Sequence, residues 1–325
     1  MANRRSVMRT LVAGAASIGA PRLFAQDDKS TVTVLVGAAT TMDATARLIS
    51  EHLREALGRP IITVSKLGAG GRLALNELRR APPDGRTLMF STSSPFAIYP
   101  NIYTKLDYDP VADFTPISGV CAFDVGLATG ASVPATDLKG VVEWARAAKP
   151  GEAMYGAAPG NGSASHFAGI GLALAANLPL NMVPYKDSNV AMADVATGRL
   201  PLLITGTGAL IELHKAGRLR LIATSGSQRS LILTDIPTFK DAGFDVVVVN
   251  TAGLYGPPKL PAEIVARLHG ALQQMQARED FRTRLIAMSM TPMPMTQTQL
   301  AASLATDRRY FERLVKQSGY VPEAG

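Results

Sequence analysis

From Thr31 onward the chain alternates short apolar runs with longer runs of helical spacing, and this alternation restricts it to a small set of folds. Thr31 to Val36 is rich in β-branched residues and reads as a strand. Asp43 to Leu57 reads as a helix, with Ile49, Leu53 and Leu57 on an inner face and Arg47 and Glu51 outside. Ile61–Val64 and Thr87–Phe90 are the next strands, separated by the glycine loop 68–71, a short helix to Arg80 and a Pro82-Pro83-Asp84-Gly85 turn. Strands are expected at Ile117–Val120, Val125–Thr129, Met154–Gly156 and Met182–Pro184. Helices are expected over about Asp137–Ala148, from an N-cap at Ser163 to about Asn177, and over about Asn189–Thr197 with Gly198 as its C′ residue. Two more strand–helix units lead to Gly243 and the apolar strand Val246–Val249. The remainder reads as helical, over Pro261–Ala277, Phe281–Ala287 and Thr296–Ser318. The pattern predicts α/β architecture with mostly parallel strands. In 325 residues two sheets are expected rather than one, and no internal repeat is visible.

Composition removes several classes. An apolar content of 47% with 18% charged residues excludes disorder over most of the chain. The longest apolar stretch, Leu11 to Ala20, is too short and too rich in Gly and Ala to span a bilayer. Cys121 is the single cysteine, so neither an intramolecular disulfide nor a cysteine-clustered metal site can form. The net charge of +7 invites a nucleic-acid reading, but the charge is unevenly placed. Arg4, Arg5, Arg9 and Arg22 fall in the first 25 residues without an acid, so +7 drops to +3 beyond them. The remaining arginines are dispersed, and no basic run is interleaved with aromatics, so no nucleic-acid partner is expected.

The first segment has its own logic. Asn3-Arg4-Arg5-Ser6-Val7-Met8-Arg9 resembles a twin-arginine export signal, followed by a weakly apolar stretch and a cleavage site expected after Ala25. Residues 1–25 are therefore read as a signal peptide and the folded product as periplasmic.

Enzyme signatures fail in turn. Gly68/Gly70 and Gly160/Gly162 are not followed by the third glycine or alanine of a dinucleotide fingerprint, and no phosphate-binding loop or nucleophile elbow occurs. His52, His166, His214 and His269 are scattered, and Cys121 has no activating neighbour. The protein is expected not to be an enzyme, and no cofactor or metal is implied. Met288, Met290, Met293 and Met295 keep one alternative open, a methionine-rich copper-binding protein, because thioethers suit Cu(I). The plainer reading is that they fill a loop under the last helix.

Three small, polar turns follow strands. Gly160, Asn161, Gly162 and Ser163, with Ser165 and His166, lead into a helix whose N–H groups and dipole suit an anion. Ser163 either donates to that anion or only caps the helix. Ala38, Ala39, Thr40, Thr41 and Asp43 form a second such turn, in which Asp43 is also a natural cap. Thr92 and Ser93 form a third, and Lys186 adds a cation or is a solvated surface lysine. Ligands of open α/β sheets sit outside the carboxyl ends of strands, so these turns can converge.

The order of these segments resembles the periplasmic solute-binding proteins of tripartite tricarboxylate transporters, the Bug receptors, over residues 30–322. The resemblance rests on Gly68-Ala69-Gly70-Gly71-Arg72, Ala81-Pro82-Pro83-Asp84-Gly85, Tyr108-Asp109-Pro110 and Asp113 to Ile117. It continues through Gly160-x-Gly162-Ser163 with His166, Val183-Pro184-Tyr185-Lys186, Ala216 to Arg220 leading to Ala223, and Asp235-Ile236-Pro237-Thr238. It implies a two-lobed, type II-like (Venus flytrap) binding protein with a ligand cleft between α/β lobes. Lobe I would comprise residues 26–129 and 248–325, and lobe II residues 130–247. The implied ligand is a small organic acid whose carboxylate is held by loops Ala38 to Thr41 and Gly160 to Ser163. The implied partners are transporter membrane subunits, with an orphan sensor module as the alternative and a monomer as the expected state. The chain departs from the family pattern at its first loop, at Asp187 for a glycine, at Thr205 for an aspartate, and at Phe96 and Tyr99 for a His and an Asn. Losing the acid at Thr205 argues against an amino-acid ligand, and the two aromatics suggest a more apolar or aromatic acid.

Overall fold

The structure is a computed structural model that describes residues 30–38 and 41–324. The signal segment, Ala39 and Thr40 lie outside the described residues. In chain order the elements are β1 (Val32–Val36), α1 (Thr41–Leu57), β2 (Ile61–Ser65), α2 (Arg72–Arg80), β3 (Thr87–Thr92), α3 (Ser94–Ala97) and α4 (Tyr99–Ile102). They continue with β4 (Thr115–Thr129), α5 (Leu138–Ala147), β5 (Met154–Ala157), α6 (Ala164–Ala176), β6 (Asn181–Pro184), α7 (Ser188–Ala196), β7 (Leu202–Gly206), α8 (Thr207–Lys215) and β8 (Arg220–Thr224). The last are β9 (Val249–Gly256), α9 (Ala262–Ala277), α10 (Glu279–Ala287), β10 (Thr291–Met295) and α11 (Gln297–Ser318).

β4 organises the molecule. Two short strands are expected from the sequence, but the structure has one strand of 15 residues. Its continuity follows from its partners. β9 pairs antiparallel with Thr115–Asp124, and β7 and β8 take over antiparallel along Val125–Thr129. Backbone groups are thus satisfied along the strand, although Asp124 breaks the apolar run. β4 therefore belongs to both lobes: β2-β1-β3-β9 extends from its first half and β7-β5-β6 from its second.

Each lobe buries both faces of its sheet, because successive side chains on a strand point to opposite sides. Val34, Val36, Leu88 and Phe90 pack in one core with Ile49 and Leu53 of α1 and with Leu268 and Leu272 of α9. Leu35 and Met89 enter the opposite core with Leu75, Leu78 and Leu300. In the second lobe Leu127, Leu202 and Ile204 join Phe167, while Ala128, Leu203 and Leu221 face a separate cluster. Phe311, Leu314 and Val315 of α11 join the Phe167 cluster, so the last helix reaches the second lobe's core.

Two strands differ from expectation. The strand expected at Val246–Val249 begins only at Val249 and runs to Gly256, through Asn250, Thr251 and Gly253, whose polarity and small size conceal it. β10 falls in the methionine segment and contains Pro292 and Pro294. Proline is tolerated because β10 pairs on one side only, antiparallel to β4. The methionines of the segment serve different neighbours: Met288 and Met290 join the α1 core, and Met295 packs near Gly119.

Candidate functional site

Strand directions bring the predicted turns together. β1, β2 and β3 run parallel, and β3 is antiparallel to β9, which is antiparallel to β4. β5, β6 and β7 are parallel to one another and antiparallel to β4. The two groups of strands therefore point their carboxyl ends at each other. Thr92, the end of β3, lies opposite Ala252, which lies opposite Cys121 of β4, whereas Gly206, the end of β7, lies opposite Val125. Four residues of β4 separate those levels, about 13 Å along the strand direction.

Side-chain contacts close part of this gap. A Cβ on Gly37 would fall 2.6 Å from Gly71 Cα, so the backbone just after β1 is pressed against the glycine turn 68–71. The Tyr99 hydroxyl donates to the Gly70 carbonyl at 2.9 Å. A Cβ on Gly162 would overlap Ile102 Cδ1 and lie 3.9 Å from Tyr99 Cε1. Tyr99 thus stands between the glycine turn and the second predicted anion loop. Burial, with Tyr103 adding to it, pushes its phenol up to about 12, so it remains neutral.

The 160–163 loop is braced from within. Ser163 caps α6: its hydroxyl accepts from the His166 N–H at 3.2 Å and donates to the Gly160 carbonyl at 2.7 Å. The Gly162 N–H donates to His166 Nδ1 at 3.3 Å, and the Ser163 N–H bonds the Gly160 carbonyl. Burial pulls His166 down to about 4, with Glu323 opposing, so the ring is a neutral acceptor rather than a cation. The N–H groups of Asn161, Ala164 and Ser165 make no hydrogen bond among the described residues. The donors offered by this turn are therefore Asn161 and the first turn of α6, not Gly162 or Ser163. The Asn161 amide donates to Glu323 Oε1 at 2.9 Å. Glu323 in turn accepts from Tyr320 and is tied through its backbone to Ile102 and Thr104.

The other predicted residues fall as follows. Ala38 is exposed beside Gly37, and Thr41 is the first residue of α1. Asp43 is the third residue of α1 and not its cap. Its carboxylate takes hydrogen bonds from Arg47 and Ser65, which hold it below the usual range. Thr92 ends β3, and Ser93 begins the turn into α3, its N–H bonded to the Thr251 carbonyl. Thr205 is buried, with its hydroxyl 3.2 Å from both the Ala158 carbonyl and the Ser188 hydroxyl. Lys186 is exposed and forms no ion pair among the described residues. Phe96 is 1% exposed and stacks on Tyr255 at 4.3 Å, so it belongs to the core and says nothing about an aromatic ligand.

Sequence reasoning missed Asn250, which accepts from Ser94 at 2.9 Å and lies opposite Phe123 at the level of the gap. An isolated asparagine in an apolar-flanked strand is the signal that could have found it. Cys121 is fully buried, and burial pushes its thiol up to about 12, which leaves it inert.

Two α/β lobes joined by a shared strand, with helix N-termini and small-residue turns facing one another across the junction, define a solute-binding receptor. The model of the tripartite tricarboxylate transporter family receptor matches residues 45–320, and the chain belongs to that family of periplasmic binding proteins. It is 29% identical to a UPF0065 protein of Bordetella bronchiseptica over 89% of this chain and 85% of that one. It is similar to the solved structure of R. palustris Rpa4515 with adipate, at TM-score 0.82 and 26% identity, covering 91% of this chain and 100% of that one. It is also similar to MatC of Rhodopseudomonas palustris with bound malate, at TM-score 0.76 and 27% identity, covering 88% and 98%. Among the described residues no helix is long and apolar enough to cross a membrane.

Proposed function

We propose that the protein is a periplasmic receptor that captures a small organic carboxylate and presents it to the membrane subunits of a tripartite tricarboxylate-type transporter. The observation that carries this reading is the set of N–H donors at Asn161, Ala164 and Ser165 that make no hydrogen bond among the described residues, across the Tyr99 contact from Gly70 and Gly37. Such donors bind a carboxylate without a formal cation. Relatives solved with adipate and malate support the same ligand class. In this reading lobe I comprises residues 26–129 and 248–325, lobe II comprises residues 130–247, and the lobes close on the ligand as a monomer. The ligand is bound and released unchanged, and residues 1–25 direct export by the twin-arginine route.

The test is a melting screen of the mature chain against mono-, di- and tricarboxylates, because a ligand that binds only the folded state raises stability. A dicarboxylate of four to six carbons is expected to raise Tm. A response to Cu(I) with none to any organic acid would sink the receptor reading in favour of metal handling. Co-purification with a signalling protein rather than transporter subunits would reassign it as a sensor.

A further inference from the structure

A cavity of about 140 Å³ lies beside β4 between the lobes, and none of the residues of the proposed carboxylate site lines it. One wall comes from the first lobe, with Val249, Ile286, Met290 and Met293, and the other from the second, with Thr207 and the 226–232 segment. Asp124 of β4 lines it. This half-buried acid forms no ion pair among the described residues, and burial raises its pKa. A Cβ on Gly226 would fall 2.7 Å from Asp124 Oδ2, so the loop closes on the carboxylate from one side. The Thr207 and Thr224 hydroxyls and the backbone N–H groups of Gly226 and Asp124 lie around the same group, and neither hydroxyl reaches a partner in full hydrogen-bond geometry. Arg229 lines the cavity too, but its guanidinium is committed to Asp241 at 2.8 Å.

A carboxylate partly withdrawn from water beside a cavity gains from a cation placed against it. The complement must supply positive charge and several donors. A primary ammonium carries three N–H donors, enough to engage both the Asp124 carboxylate and the Thr207 hydroxyl that line the cavity. The opposite wall, Ile286, Met290 and Met293, is apolar and suits a short alkyl chain. A cavity of similar size is known to accept a ligand of about six heavy atoms.

We propose that this interlobe cavity is a second binding site, for a small alkylammonium group, with Asp124 as the charge partner and Thr207 as a hydrogen-bond acceptor. Both lobes contribute walls, so occupancy couples to the angle between them. The proposal does not depend on the carboxylate reading.

The test is calorimetric titration and a melting screen of the mature chain with n-propylammonium chloride, against n-propanol and sodium chloride at matched concentration. Propylammonium is expected to bind and raise Tm, and the two controls are not. Asp124→Asn, which keeps the shape and removes the charge, should weaken propylammonium binding at least tenfold while leaving the carboxylate response in place. Thr207→Val should weaken it several-fold and serves if Asp124→Asn does not fold. Equal effects of propylammonium and sodium, or unchanged binding in both variants, would overturn the site and leave water as the partner of Asp124. Loss of the carboxylate response with retained ammonium binding would refute only the proposed function.

Discussion

Gly162 to alanine tests whether the anion loop is held by its contact with the first lobe. Two costs are legible. Gly162 has φ +71, where an L-residue is disfavoured by about 1–2 kcal/mol. The new Cβ would also overlap Ile102 Cδ1, and Ile102 is 1% exposed, with little room to turn away. Overpacking of that kind costs about 1–3 kcal/mol, giving about 2–5 kcal/mol together. Gly217 separates the terms: its φ is +66 and nothing lies within 4 Å of its Cβ position, so Gly217→Ala carries only the backbone cost. Ile102→Val removes the overlapping methyl and alone should cost about 0.5–1.5 kcal/mol. Urea denaturation followed by circular dichroism would measure all four chains. The double variant Gly162→Ala/Ile102→Val should be more stable than the sum of its parts by about 1 kcal/mol or more. The contact does not hold the loop if Gly162→Ala costs no more than Gly217→Ala, or if the pair is additive.

Glu323→Ala removes the acceptor of Asn161 and Tyr320. Stability should change by no more than about 1 kcal/mol, because the network is exposed, while carboxylate Kd rises several-fold by calorimetry; unchanged affinity would show that the tail does not position the loop. His166 has an ordinary value near 6.5 and is held at about 4 in the fold, so its contribution is complete above pH 6.5 and is lost as pH falls toward 4. About 3 kcal/mol is at stake, and Asp307, pushed up to about 6 by burial, acts in the opposite direction as pH falls from 6 to its ordinary 3.8. His166→Gln isolates the histidine: the stability difference from the native chain should shrink between pH 6.5 and 4, and a constant difference would refute the assignment. Cys121 should resist a thiol reagent in the folded protein and react on unfolding; rapid native labelling would contradict its burial.

Local patterns carried much of the architecture. The N-cap at Ser163, the C′ glycine at Gly198 and the inner face of α1 are readable because each depends on residues within one or two turns. β10 and β9 were not readable in place, since prolines and polar residues occupy them and only their pairing with β4 makes them strands. The candidate site divides similarly. Its turns were visible as small-residue runs after strands, but the participating amides were not, because a hydrogen bond from Gly162 to His166 withdraws one donor and leaves others free.

The sequence by itself determined the α/β alternation, the family resemblance and the turns that end strands, all written in short windows of side-chain chemistry. Only the tertiary structure decided that one strand joins both lobes and that Phe96 is core. It likewise decided that Asp43 is committed to Arg47 and Ser65, and that Asp124 lines a cavity with no ion pair among the described residues. Those outcomes depend on partners far away in the chain. Burial and pairing are properties of the packed molecule, and no window of sequence contains both sides of the contact.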